Sequence, residues 1–85
     1  MYAIVDIETT GSKYPGNNII DLGILIHDGR QVITTWQSLF KPEVPIPPFV
    51  VELTGITEDM VAEAPLFASK AAEIYHLLQG CTFVA

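Results

Sequence analysis

Positive charge is scarce in this chain of 85 residues: 4 Lys and Arg stand against 10 Asp and Glu, for a net charge of −6. That balance argues against the basic patch with which proteins usually hold polyanions. It suits a site that gathers divalent cations, because a bound metal inverts the local charge logic. Cysteine is nearly absent. Cys81 stands alone, which excludes a disulfide framework and a cysteine-built zinc site and makes a reduced, cytoplasmic setting the expectation. No apolar run approaches the length of a membrane span, and no basic segment leads into an apolar stretch and cleavage site. What the chain has is apolar residues, 49% of the total. That is enough for the core of one small domain, although chains this short are only marginally stable.

The chain begins "MYAIVDIETTGS". Residues 2–5 and Ile7 suit a buried strand, yet Asp6 and Glu8 stand at its far end. On a strand, residues two apart point the same way, so the two carboxylates share a face. They repel there, and both would be pushed toward the protonated form unless a cation intervened. A hard ion such as Mg²⁺ or Mn²⁺ resolves the conflict, since oxygen ligands suit it. Two such ions on one carboxylate cluster can activate a water and stabilise the leaving oxygen of a phosphodiester. A solvated strand end is the simpler account of an isolated D-x-E. The following Thr9, Thr10 and Gly11 add backbone donors, hydroxyls and a point of close backbone approach. A sugar-kinase phosphate loop, "DxGTT", is a competing pattern, but Glu8 occupies its glycine position and places charge where phosphate oxygens would sit.

Further along, "TTGSKYPGNN" reads as a loop and "IIDLGILIH" as a second strand. Asp28-Gly29 reads as a two-residue hairpin turn, with "RQVITTWQSLF" as the antiparallel partner. "KPEVPIPP" holds four prolines in eight residues and cannot be regular structure. "FVVELTG" predicts a short helical turn ending at Gly55. Thr57 is a candidate N-cap for "EDMVAEA", and Pro65 suits the first turn of a longer helix over 65–79 that stops at Gly80. Phe67, Ala71, Ile74 and Leu78 form that helix's apolar stripe. "CTFVA" predicts a last strand, and its abrupt end suggests a domain truncated at its C-terminus. His27 beside the turn and His76 on the helix read as solvated or satisfied histidines. Trp36 reads as packing, and Cys81 as a small core residue.

"VDIETTG", together with "NNIIDLGILIHDG" and "PIPPFVVELTGITEDMVAEAP", resembles the DnaQ-like (DEDD) 3′–5′ exonucleases. That family includes the epsilon proofreading subunit of DNA polymerase III and the ribonuclease T and oligoribonuclease group. The likeness runs over essentially the whole chain, and residues 1–85 would be the N-terminal portion of a single exonuclease domain. It implies an α/β, ribonuclease H-like mixed sheet with flanking helices: three antiparallel strands, then a strand parallel to the first. It implies that Asp6 and Glu8 are catalytic and hold two Mg²⁺ or Mn²⁺ ions. Ile7, Thr9, Thr10 and Gly11 would contact the terminal nucleotide, and Thr54 and Ile56 would line the pocket for its sugar and base. Without the resemblance, Thr54 and Ile56 read as a helix stop and core packing. The implied reaction is hydrolysis at single-stranded DNA or RNA 3′ ends, in a proofreading or repair setting with DNA polymerase as a partner. The family's second and third motifs, two further aspartates and a histidine or tyrosine base, do not occur, so these residues alone should be inactive and should self-associate through an open edge. The reading from a different class is a non-catalytic interaction module of a polymerase or repair complex that keeps the same fold.

Overall fold

The computed structural model describes residues 1–11 and 18–84; part of the loop expected after the first strand, residues 12–17, lies outside the described residues. Three strands come first: β1 (Tyr2–Thr9), β2 (Ile19–His27) and β3 (Val32–Leu39). Three helices follow, α1 (Pro48–Thr54), α2 (Glu58–Val61) and α3 (Phe67–Leu78), and then β4 (Thr82–Val84). The sheet order is β3-β2-β1-β4. β1 pairs antiparallel with β2 and parallel with β4, and β2 pairs antiparallel with β3. The order and senses of pairing are those expected from the sequence.

β2 shows the physical origin of the layer most clearly. Ile20, Leu22, Ile24 and Ile26 alternate with less buried neighbours along the strand, as the period of two requires. Ala3, Val5 and Ile7 of β1 pair with Ile26, Ile24 and Leu22, so all six point to one face of the sheet. On that face Ile74, Leu77 and Leu78 of α3 pack against them, with Phe40 and Trp36 beside. A second cluster of Ile20, Ile46, Val50, Ile56 and Val61 gathers α1 and α2. A register shift between Glu8 and Thr9, whose partners are Asp21 and Ile19, leaves Ile20 as the extra residue of a bulge. Ile20 keeps its place in the buried alternation and packs in this second cluster.

Several boundaries differ from the sequence reading. Tyr2, Ile4 and Ile7 are exposed rather than buried. Tyr2 and Ile4 point to the face opposite α3, which no described helix covers. Ile7 lies beyond Ile4, the last β1 residue that β4 pairs with. The hairpin connection is four residues, 28–31, and β3 begins at Val32 rather than Arg30. A type I′ turn needs positive φ at two successive positions, and in this connection only Gly29 has it, at 101°. The Asp28 carboxylate instead accepts from the backbone N–H groups of Arg30 and Gln31 at 2.7 and 2.9 Å. Those bonds, the Gln31 one foremost, hold its carboxyl below the ordinary range.

Pro65 precedes α3, whose N-cap is Leu66, and Ala71 of the expected stripe is exposed. Cys81 lies in the turn before β4, its N–H donating to the Leu78 carbonyl. The short helices are where expected: Gly55 caps α1 in the left-handed conformation, and the Thr57 hydroxyl accepts from Met60 N–H at the start of α2. An apolar cavity of about 350 Å³ opens between α3 and the β1–β4 edge, lined by Val5, Ile7, Ile74, Leu78, Phe83 and Val84 among others.

Candidate metal and nucleotide site

Alternation along β1 puts Asp6 and Glu8 on the face away from α3, at the strand's C-terminal end. Glu8 lies directly across from Asp21 of β2, and Asp6 across from Gly23. Asp21 therefore brings a third carboxylate to this face. The sequence reading did not single it out, although the hairpin register could have paired it with Glu8. Its charge is partly answered by Gln37, whose Nε2 donates to Asp21 Oδ1 at 2.5 Å. Neither Asp6 nor Glu8 has a hydrogen-bond or ion-pair partner among the described residues. Like charges directly opposite across a ladder destabilise it. Asp21→Asn is thus expected to raise stability in chelator by about 0.2–1 kcal/mol, and less as salt is added. A urea midpoint that stays put or falls would refute the repulsion.

Two carboxylates on one open face offer hard oxygen donors, which fit a divalent cation such as Mg²⁺ or Mn²⁺. The set is small: no group of three or more His, Cys, Asp and Glu side chains that could hold a metal occurs among the described residues. His27 and His76 are elsewhere. His27 Nδ1 accepts from Gly29 N–H beside the hairpin, and His76 stacks edgewise on Tyr75 on the exposed side of α3.

The described residues at the two ends of the loop after β1 bond one another. Gly11 N–H donates to Thr9 Oγ1 at 3.1 Å, and Thr10 Oγ1 accepts from Asn18 N–H at 3.2 Å. Thr10 N–H donates to the Asn18 carbonyl. Thr10 is 0% exposed, so its hydroxyl braces the loop and does not face solvent. Gly11, at φ 85°, lies so close to α1 that a Cβ there would stand 3.4 Å from Phe49 Cζ and 3.6 Å from Val50 Cγ2. Gly11 is therefore held against α1.

At the other end of α1, Thr54 Oγ1 donates to the Val50 carbonyl and accepts from Ile56 N–H. A hydroxyl has two acceptor lone pairs, so one remains for another donor. Ile56 is 5% exposed and packs in the second cluster, which is the core-packing reading of that residue. Ile7 points away from the carboxylates, toward the α3 face. α1 itself is positioned by its approach. Ile46 sits between Pro45 and Pro47, neither of which has an N–H, and its own N–H donates to the Glu58 carboxylate at 2.5 Å. That bond ties the proline segment to α2.

A sheet of this order, with paired carboxylates at the end of its central first strand, defines a ribonuclease H-like nuclease fold. Comparison with known proteins agrees. A family model described as exonuclease, of the RNase T type, matches residues 3–85, and the chain belongs to that family, whose members generally use divalent metal ions. It is 44% identical over 84 residues to the 3′-5′ exonuclease DinG of Staphylococcus saprophyticus, covering 99% of this chain and 9% of that protein. The protein of the same name in Staphylococcus epidermidis is 43% identical over the same span. The chain spans 9% of the length of these curated relatives.

Among solved structures, exonuclease X in complex with 5′ overhanging duplex DNA superposes with a TM-score of 0.77 at 27% identity, over 88% of this chain and 43% of that one. E. coli exonuclease I in complex with an oligonucleotide gives a TM-score of 0.80 at 23% identity, over 96% of this chain and 19% of that one. The latter speaks to the fold alone. No helix of the described residues is long and apolar enough to cross a membrane.

Proposed function

We propose that residues 1–85 are the N-terminal portion of a 3′–5′ exonuclease domain that hydrolyses phosphodiester bonds at nucleic-acid 3′ ends with two divalent ions. The observation that carries this is the pair Asp6 and Glu8, side by side on an open sheet face and unpartnered among the described residues. These two carboxylates would hold Mg²⁺ or Mn²⁺, which when bound supplies Lewis acidity and a more acidic water. Thr9, Gly11 and Thr54 would meet the terminal nucleotide, with Thr10, Ile7 and Ile56 holding the surrounding backbone from behind. The match to 43% of exonuclease X supports a domain whose remaining ligands and base come from elsewhere in the fold. On these 85 residues alone, metal binding should be weak and hydrolysis negligible.

The relatives are named as 3′-5′ exonucleases, which supports the direction of attack proposed here. A reduced, cytoplasmic setting suits the free thiol of Cys81. Self-association is part of this reading. Among the described residues β4 is three residues long and pairs with β1 as far as Ile4, and Phe83, Val84 and Ile7 are exposed around the apolar cavity. Such an edge invites pairing with a second copy. A monomeric elution profile across a wide concentration range would rule that out.

Calorimetric titration of the chain with Mn²⁺ tests the metal reading. A saturable heat that disappears with Asp6→Ala is expected. A site that survives the substitution would favour a non-catalytic module with the same fold.

A further inference from the structure

Gln37 and Asp21 are hydrogen-bonded, yet they do not face each other across a ladder. Gln37 pairs with Gly23, while Asp21 lies between Glu8 of β1 and Leu39 of β3. The Gln37 side chain therefore runs diagonally over the sheet, a span of about 7–8 Å that only a long side chain covers. Gly23 leaves the way open. It has no side chain, and among the described residues even an added Cβ would meet only the Asp6 carbonyl oxygen, at 4.0 Å. At the end of this reach Gln37 Nε2 donates to Asp21 Oδ1 at 2.5 Å. A bond to a charged acceptor is about twice as strong as one between neutral groups. The tether matters because of what stands on Asp21's other side. Residues opposed across a ladder have Cβ atoms about 4.5–5.5 Å apart, close enough for Glu8 and a released Asp21 to share one cation. Held as it is, Asp21 completes no set of three among the described residues.

We infer that Gln37 is a positioning residue for the metal site: by tying Asp21 to β3 it keeps a third carboxylate off the cation. The ion is then left to Asp6 and Glu8. The inference rests on the nuclease reading above and adds to it the basis on which the site selects its ion. Mg²⁺ is typically held by one or two carboxylates and keeps positions for water and substrate oxygens. Ca²⁺ takes about six to eight oxygens, and its affinity grows with the number of charged ligands. A face with two available carboxylates thus suits Mg²⁺ or Mn²⁺ and leaves room for a phosphodiester. A face with three would suit Ca²⁺ and fill that room. Gln37 decides between them without touching the ion.

The test compares the chain with Gln37→Met, which keeps the reach of the side chain and lacks the amide donor. Mn²⁺ binding is followed into the millimolar range by the EPR signal of the free ion, and Ca²⁺ binding by calorimetry. Releasing Asp21 should tighten Ca²⁺ binding about tenfold, the lower end of what an outer partner of a metal ligand is worth, and Mn²⁺ binding by less. The gain should vanish when Asp21→Asn is added to Gln37→Met, whereas Asp21→Asn alone leaves both affinities as they were. A Gln37 that only steadied the sheet would lower the melting temperature and give no gain that depends on Asp21. Absence of the gain, or a gain that outlives Asp21, overturns the positioning role. Asp6→Ala separates the two failures. If Gln37→Met gives no gain while Asp6→Ala abolishes Mn²⁺ binding, only the positioning role falls. If Gln37→Met binds Ca²⁺ equally tightly with and without Asp6, the cation does not sit on the β1 pair, and the nuclease reading falls with the positioning role.

Discussion

Phe40→Ala is expected to cost about 3–5 kcal/mol, the largest loss of stability from any single truncation in this chain. Phe40 is 0% exposed and the largest of the fully buried side chains. Its ring meets Phe67 edge-on at 5.2 Å and tilts against Trp36 at 6.4 Å, so it joins β3, α3 and the segment between β3 and α1. Its N–H donates to the Ile20 carbonyl at 2.9 Å. Phe40 therefore sits where the core under α3 meets the cluster that carries α1 and α2. Removing the ring leaves a cavity that neither cluster can close without moving the other. Small domains hold only about 5–15 kcal/mol in total, and one this short lies toward the lower end. The variant should be substantially unfolded in water, while Phe40→Leu should keep a cooperative urea transition. A Phe40→Ala midpoint within about 1 kcal/mol of the parent would show that the two clusters are independent.

The alternation of β2, the Thr57 cap and the Gly55 stop follow from local rules, because each depends on a few neighbouring residues. The D-x-E pair was legible for the same reason: strand period alone puts both acids on one face. Properties that depend on distant partners were not legible. Ile56 reads equally well as a pocket wall or a core residue until Ile20 and Val61 are known to meet it. Thr10 reads as a free hydroxyl until Asn18 returns to take it. Asp28-Gly29 reads as a two-residue turn until the Asp28 carboxylate takes two backbone donors and holds the connection at four residues. The opposition of Asp21 to Glu8 needs the register of the hairpin, and the bulge at Ile20 shows how easily that register shifts by one residue.

Asp6→Ala is expected to abolish measurable Mn²⁺ binding. Loss of a residue that only orients a metal ligand typically weakens affinity 10–100-fold, so losing a direct ligand from so small a donor set should exceed about a hundredfold. The position on β1 makes the interpretation clean. Asp6 is exposed and has no hydrogen-bond partner among the described residues, so its removal takes away no packing and leaves no orphaned group. Removing a negative charge from a face shared with Glu8 and Asp21 should leave the metal-free chain as stable as before or slightly more so. The prediction is therefore a pair of opposite effects: binding lost, thermal midpoint in chelator unchanged or raised. Glu8→Gln should give the same pair. Asp21→Asn should raise the midpoint while retaining the Mn²⁺ site, because its carboxylate is already engaged by Gln37. If Asp21→Asn abolishes binding as completely as Asp6→Ala, the cation is held between β1 and β2, and the two-carboxylate assignment is wrong. If Asp6→Ala lowers the chelator midpoint instead, the carboxylate has a structural role that its exposure does not reveal. A metal site built on Asp6 and Glu8 predicts neither outcome, and calorimetry with thermal melts on the four proteins distinguishes all of them.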